Sequence, residues 1–95
     1  MKVVWTDASI HELQALYDFI AQTSTFYASR IVDHLTRRSM QIESFPRSGR
    51  IVPEYEIDYI REIIEHPYRI IYRIREEYIE VLSVIHSARL LPENL

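Results

Sequence analysis

Arginine and histidine side chains placed along three apolar runs form the constellation in this sequence best suited to chemistry. Between Tyr59 and Leu91, Arg61 and Arg69 are followed by His86 and Arg89, the last two within the segment HSAR. Arginines stabilise negative charge on a phosphoryl transition state, and a histidine can serve as its general acid or base. These four residues are therefore the candidate catalytic set.

The same side chains also have structural interpretations. His86 lies at the end of an apolar run, where a hydrogen-bonded structural histidine is the more common outcome. Arg69 and Arg73 fall on one strand face, where cross-strand pairing with Glu62 or Glu80 would neutralise them. The arginines are thus as well suited to holding a partner or a neighbouring strand as to catalysis.

Three β-strands are predicted to position these residues, because isoleucine, valine and tyrosine fill the runs. Their predicted bounds are Tyr59–Glu65, Tyr68–Arg75 and Tyr78–His86, with breaks at His66-Pro67 and at the charged Arg75-Glu76-Glu77 turn. In the second run, tyrosine and isoleucine at 68, 70, 72 and 74 share one face, and 69, 71, 73 and 75 share the other.

A short strand and two amphipathic helices are predicted before these runs. Lys2–Trp5 is the strand, and Thr6 or Asp7 caps a helix that continues to about Ala21. The polar run at 22–25 ends this helix and caps a second one, which should end near Phe45-Pro46. Residues 46–50 are then a turn in which Gly49 is free to adopt positive φ, and 51–58 is an acidic connection. The predicted order is β-α-α-β-β-β.

Composition limits the class of protein. The chain has 95 residues, 47% of them hydrophobic, with one glycine and no cysteine, so we expect a single domain over 1–95 without disulfides. Neither a membrane-length apolar run nor a signal peptide is recognisable, so a cytoplasmic location is expected. We expect no metal and no cofactor.

The charge distribution indicates a protein partner at least as strongly as a nucleic acid. The net charge is −3, whereas polyanion-binding proteins are usually basic. Residues 30–50 nevertheless carry five arginines against two acids. Arginine favours planar, bidentate contacts with carboxylates. The candidate partner-binding residues are Arg30, Arg37, Arg38, Arg50 and Arg73.

Several segments resemble, in order and spacing, the RelE/ParE superfamily of toxins from type II toxin–antitoxin systems, and more specifically its ParE branch of plasmid stabilisation proteins. They are VVWTDASIHELQALYDFI, FPRSGR, IVPEY, IREI, PYRIIYRI and IEVLSVIHSAR, which together span nearly the whole chain. The most specific are PRSGR, YRIIYRI and the HSAR ending. The resemblance implies an α+β fold in which a helical hairpin packs on a small, mainly antiparallel twisted sheet.

The resemblance also implies partners. A cognate antitoxin would wrap the toxin with its C-terminal segment, in a heterotetramer or a larger complex that contacts DNA only through the antitoxin. ParE-like members poison DNA gyrase, and RelE-like members cleave mRNA in the ribosomal A site. The acidic charge and the single lysine, Lys2, favour the gyrase inhibitor. One alternative is the ribosome-dependent ribonuclease, which would cleave RNA without a metal through Arg61, Arg69, His86 and Arg89. The other is a non-toxic antitoxin-binding or co-repressor partner that no longer arrests growth.

Overall fold

A computed structural model describes residues 1–87 and Leu91, and these residues form a five-stranded sheet with two helices. The elements are β1 (Lys2–Trp5), α1 (Asp7–Ala21), α2 (Thr25–Ser44), β2 (Arg50–Ile51), β3 (Ile60–Glu65), β4 (Tyr68–Ile74) and β5 (Tyr78–His86). The strand order is β1-β5-β4-β3-β2. Only the β1–β5 pair is parallel within the described residues, so the predicted α+β class and mainly antiparallel sheet are confirmed.

One short strand was absent from the prediction. Arg50 and Ile51 form β2 and pair with Glu62 and Arg61 of β3, so the observed order is β-α-α-β-β-β-β. The sequence interpretation had placed these two residues in a turn and an acidic connection. A two-residue strand is too short to show the period-2 alternation by which strands are recognised.

Hydrogen-bonding side chains fix the starts of both helices. Thr6 Oγ1 accepts from the backbone N–H of Ser9, and Ser24 Oγ accepts from that of Tyr27, each at 3.1 Å. At its other end α2 stops at Ser44, since Phe45 precedes a proline and leaves the helical region with φ −132°. Among the described residues, no helix has the length and apolar character needed to cross a membrane.

Both faces of the sheet are packed. On the helix side, α2 residues Leu35 and Ile42 contact buried residues of the last three strands; these are Ile63, Ile70, Tyr72, Ile79, Val81 and Val84. On the other side, Val52 packs with Ile60, Ile71 and Ile85, and Tyr55, Ile57 and Leu91 cover this cluster. The alternation predicted for β4 is therefore confirmed, and the connection after β2 serves as the second layer.

The prediction that Gly49 uses positive φ was wrong. No described glycine has positive φ, and the residue that does is Glu56, at 53°. Gly49 is required for close approach instead: a Cβ atom built on it would lie 2.5 Å from the Tyr72 hydroxyl and 2.6 Å from the Glu62 carbonyl oxygen. The turn therefore depends on the missing side chain of glycine and not on its backbone freedom.

Candidate functional site

Arg69 is the most constrained of the candidate catalytic residues. Its side chain is 7% exposed, its Nε donates to Glu62 Oε1 at 2.5 Å, and its terminal nitrogens bond both oxygens of Glu54 at 2.7 and 2.8 Å. The remaining carboxylate oxygen of the fully buried Glu62 accepts from Arg50 Nε at 2.6 Å. The bond from Arg69 lowers the pKa of Glu54. Arg69 therefore joins β4, β3 and the connection after β2.

Arg61 joins two loops. It donates from Nε to the Asp58 carbonyl at 2.9 Å, and its terminal nitrogens reach Asp58 Oδ1 and the Gly49 carbonyl at 3.0 Å each. The other oxygen of Asp58 accepts from Arg47 at 2.6 Å. Hydrogen bonds from Arg47 and Arg61 lower the pKa of Asp58. This arginine thus ties the 46–50 turn to the segment that leads into β3.

His86 lies at the rim of a groove between α1 and β5. The groove has a volume of about 400 Å³, and its lining includes Glu12, Leu16, Phe19 and Tyr68. The rings of His86 and Tyr68 meet edge-to-face, with centroids 6.0 Å apart. Burial raises the pKa of Tyr68 above its ordinary value of 10.0. No arginine or lysine from the described part of the chain lines this groove.

The strand register separates the candidates. Tyr68 of β4 is paired with Glu65 on one side and His86 on the other, whereas Arg61 is paired with Tyr72. Arg61 is four residues from Glu65 along β3, a distance of about 13 Å at the usual rise of a strand. Arg69 projects from the opposite face of β4 to Tyr68. Arg89 lies outside the described residues. The structure brings His86 together with Tyr68 and Glu12, but not with Arg61.

Two candidate partner-binding arginines lie on the exposed face of α2, around a shallow pocket of about 350 Å³. Arg37 is ion-paired with Asp33 at 2.7 Å and is 76% exposed. Arg30 lies over the Phe26 ring at 5.8 Å. Within residues 1–87 no carboxylate lies within ion-pair distance of Arg30. Arg30 is thus the cation on this helix with the most freedom to bind a partner.

The other partner-binding candidates are more constrained. Arg38 donates from Nε to Glu65 Oε2 at 2.7 Å and also contacts Gln41. His34 Nε2 lies 2.8 Å from the second oxygen of Glu65. Arg50 is held by Glu62, as described above. Arg73 has a buried Nε with no hydrogen-bond partner among the described residues.

Several of these contacts were not anticipated from the sequence. Glu54 was predicted only as part of an acidic connection. The ion pairs of Glu65 with His34 and Arg38 were not predicted. Ser83 Oγ also donates to Glu12, across 71 residues, at 3.0 Å. Such pairs join distant segments, so no local spacing reveals them. The described residues contain no group of three or more histidines or acids placed to hold a metal ion.

Comparison with known proteins agrees with this architecture. Residues 3–91 match the model of a family described as ParE toxin of type II toxin–antitoxin system, parDE. The chain is 29% identical over 90 residues to Toxin RelE2 of Caulobacter vibrioides, covering 94% of this chain and 98% of that protein.

Solved structures share the fold. The chain superposes on a structure described as the chromosomal ParDE TA system from P. aeruginosa with a TM-score of 0.76 and 20% identity, covering 90% of this chain and 95% of the other. For a YoeB/ParE toxin from Agrobacterium tumefaciens the TM-score is 0.63 at 20% identity, covering 90% and 98%. At these identities the likeness concerns the fold alone.

Proposed function

Because this chain belongs to the ParE toxin family of type II toxin–antitoxin systems, we propose that it inhibits DNA gyrase by protein–protein contact and is neutralised by a cognate antitoxin. The observation that carries a binding mechanism is the engagement of Arg61 and Arg69. Each guanidinium already donates from Nε and from both terminal nitrogens to carboxylates or carbonyls of the chain itself. A phosphoryl transition state would have to compete with those acceptors for the guanidinium groups.

A second candidate function is RNA cleavage, which the resemblance to RelE-like members implies. The groove beside His86 favours it, because an imidazole there lies next to a protonated tyrosine and a carboxylate. A general acid and base can be drawn from such a set. No arginine or lysine among the described residues lines the groove to stabilise a phosphoryl transition state, so this function ranks second.

One pair of assays separates the two functions. Purified toxin is added to a gyrase supercoiling reaction, and separately to a translation reaction in which mRNA ends are mapped. We expect lost supercoiling with accumulation of cleaved DNA complexes, and intact mRNA. The variant His86→Ala should behave like the wild type with gyrase. New mRNA ends that disappear in His86→Ala, together with unimpaired gyrase, would replace the first proposal by the second.

Toxicity itself requires its own experiment. Induction of the chain without an antitoxin should arrest growth, and co-expression of the antitoxin should restore it. Normal growth at confirmed expression levels would favour the third interpretation, a non-toxic antitoxin-binding or co-repressor partner.

The open edge of β3 supports strand addition by the antitoxin. The N–H and C=O of Ile60 bond Ile57 and Val52 on the β2 side of the strand. By alternation, the same groups of Ile64 point to that side, where β2 does not extend. Main-chain pairing of a partner strand at such an edge is a common peptide-recognition mode. Hydrogen exchange should therefore show a slower Ile64 amide in the complex than in the free toxin.

A further inference from the structure

The sheet has an exposed area on the face opposite the helices, beside the part of that face that the Val52 cluster covers. Val4 of β1 is paired with Glu80 of β5, and Glu80 is paired with Arg73 of β4. Because paired residues point to the same face, these side chains form one row across three strands. Val4 is 39% exposed, and Tyr78, two residues before Glu80, is 38% exposed. We call the area formed by Val4, Arg73, Tyr78 and Glu80 the Arg73 face.

Arg73 is the unpaired cation of this face. Every other arginine between residues 50 and 75 forms an ion pair; these are Arg50, Arg61, Arg69 and Arg75. Glu80, the carboxylate directly across from Arg73, accepts from Arg75 Nε at 2.6 Å. Arg73 forms neither a hydrogen bond nor an ion pair with any described residue, although its Nε is buried. A buried N–H without an acceptor is unfavourable, so a molecule that brings an acceptor to this group gains from the contact.

The terminal nitrogens of Arg73 are the accessible part of its guanidinium. Nε is the one atom of this side chain that is both buried and unpartnered. The terminal nitrogens also lack a partner among the described residues, so they reach the surface. They present the planar fork that matches the two oxygens of a carboxylate.

The charges around Arg73 favour a single carboxylate over a polyanion. Glu80 lies opposite Arg73, and the Glu76-Glu77 turn adjoins both strands. These three acids repel a row of phosphates such as a nucleic acid carries. A protein segment with one carboxylate among apolar side chains avoids most of this repulsion. It also covers the exposed apolar side chains of the Arg73 face.

We propose that the Arg73 face holds the target protein, with a carboxylate side chain of the target bonded to the terminal nitrogens of Arg73, a role that rests on the proposed inhibition of gyrase. The antitoxin contacts considered above lie elsewhere, at the edge of β3 beside Ile64 and on α2. Since α2 covers the other face of the sheet, target and antitoxin meet different surfaces of the toxin.

Supercoiling assays with purified variants test the proposal. Arg73→Gln should raise the toxin concentration for half-inhibition of gyrase at least about tenfold, as removal of one partner of an interfacial charge pair does. Arg73→Lys keeps the charge without the planar fork, so it should inhibit better than Arg73→Gln. The matched control is Arg47→Gln, which removes the same charge from the turn after α2, next to Ile74 on the helix side of the sheet. It should inhibit like the wild type.

A second pair of variants leaves Arg73 in place. Val4→Glu adds a carboxylate two strands away from Arg73, where it repels the carboxylate of the target and competes with it. Val4→Gln is similar in size and neutral, so it should inhibit gyrase more strongly than Val4→Glu. Circular dichroism confirms that each variant is folded. Biolayer interferometry should show unchanged antitoxin binding by Arg73→Gln.

A wild type that inhibits gyrase no better than Arg73→Gln overturns the role of Arg73 and leaves gyrase inhibition standing. Equal losses in Arg73→Gln and Arg47→Gln also overturn it, because net charge would explain both. So does equal inhibition by Val4→Glu and Val4→Gln, which decides the matter if Arg73→Gln does not fold. A folded Arg73→Gln that loses antitoxin binding would assign the Arg73 face to the antitoxin instead. A wild type without any effect on gyrase overturns the proposed function, and the role of Arg73 with it.

Discussion

The hydroxyl of Tyr72 accepts a hydrogen bond from the Gly49 N–H at 3.0 Å, across 23 residues of sequence. The same hydroxyl donates to the Pro46 carbonyl at 2.6 Å. Tyr72 is fully buried in β4, so this pair anchors the turn after α2 to the middle of the sheet. The turn carries Arg47 and leads directly into Arg50, and both arginines therefore depend on it for their positions.

Replacing Gly49 by alanine should destabilise the protein. The added Cβ would lie 2.5 Å from the Tyr72 hydroxyl and 2.6 Å from the Glu62 carbonyl oxygen, so the turn or the tyrosine must move. Overpacking of this kind costs about 1–3 kcal/mol, and for a chain of this length each kcal/mol lowers Tm by about 4–8 °C. Urea unfolding of Gly49→Ala measures the loss. Ser48→Ala, on the neighbouring exposed residue, should change stability by under about 0.5 kcal/mol.

Removing Arg69 should destabilise the fold more strongly. Arg69→Met keeps most of the aliphatic volume but leaves the fully buried Glu62 carboxylate with Arg50 as its remaining cation. Breaking a buried ion pair on one side costs about 3–5 kcal/mol. The matched control is Arg75→Met, whose 45% exposed side chain pairs with Glu80 and should cost about 0–1 kcal/mol. Equal losses in the two variants would contradict the assigned importance of the buried network.

A double variant separates the cost of an unpaired charge from the value of the pair. In Arg69→Met with Glu62→Met no buried charge is left without its partner, so part of the stability should return. Urea unfolding of the wild type, the two single variants and the double variant gives the interaction energy of the pair from a double-mutant cycle. A double variant as unstable as the sum of the singles would show that the two sites act independently.

The ion pairs of Glu65 should make stability fall at acidic pH. Contacts with His34 and Arg38 lower the pKa of Glu65 below its ordinary value of 4.5. A carboxyl group whose pKa is lower in the folded state stabilises the fold above its unfolded pKa, and that contribution disappears as pH falls through the folded pKa. The stability difference between wild type and Glu65→Gln should therefore shrink as pH falls below about 4.5. A difference that stays constant down to about pH 2 would contradict this linkage.

The sequence was sufficient for the regular elements other than the two-residue β2, and insufficient for most of the long-range contacts. The bounds of β1, α1 and β5 followed from apolar periodicity and from the Thr6 cap, both of which are local signals. The pairing of Arg69 with Glu62 was anticipated as a cross-strand contact. Its second partner, Glu54, was not, since Glu54 is 15 residues away in a segment with no periodic pattern. The role of Gly49 was missed because only the fold reveals how closely Tyr72 approaches it.

Charge reversal on α2 should weaken the proposed antitoxin complex, and Arg30 is the position that tests this most clearly. The sequence indicated Arg37 and Arg38 as well as Arg30. Arg37 is paired with Asp33, and Arg38 is bonded to Glu65, so reversal of Arg38 would also disturb the packing of α2 on β3. Arg30 contacts the exposed Phe26 ring and has no carboxylate partner among residues 1–87. Arg30→Glu should therefore weaken binding, mainly through a slower association rate, by about tenfold at low salt.

Association kinetics measured by biolayer interferometry at two salt concentrations check this prediction. The difference between wild type and Arg30→Glu should narrow at high salt, because exposed charges are screened. Lys2→Glu supplies the control, since it reverses a charge at the opposite end of the sheet, where Lys2 is in register with Tyr78. Equal slowing by Arg30→Glu and Lys2→Glu would show that association depends on the net charge of the toxin and not on the position of Arg30. An unchanged association rate for Arg30→Glu would show that this face of α2 lies outside the antitoxin interface.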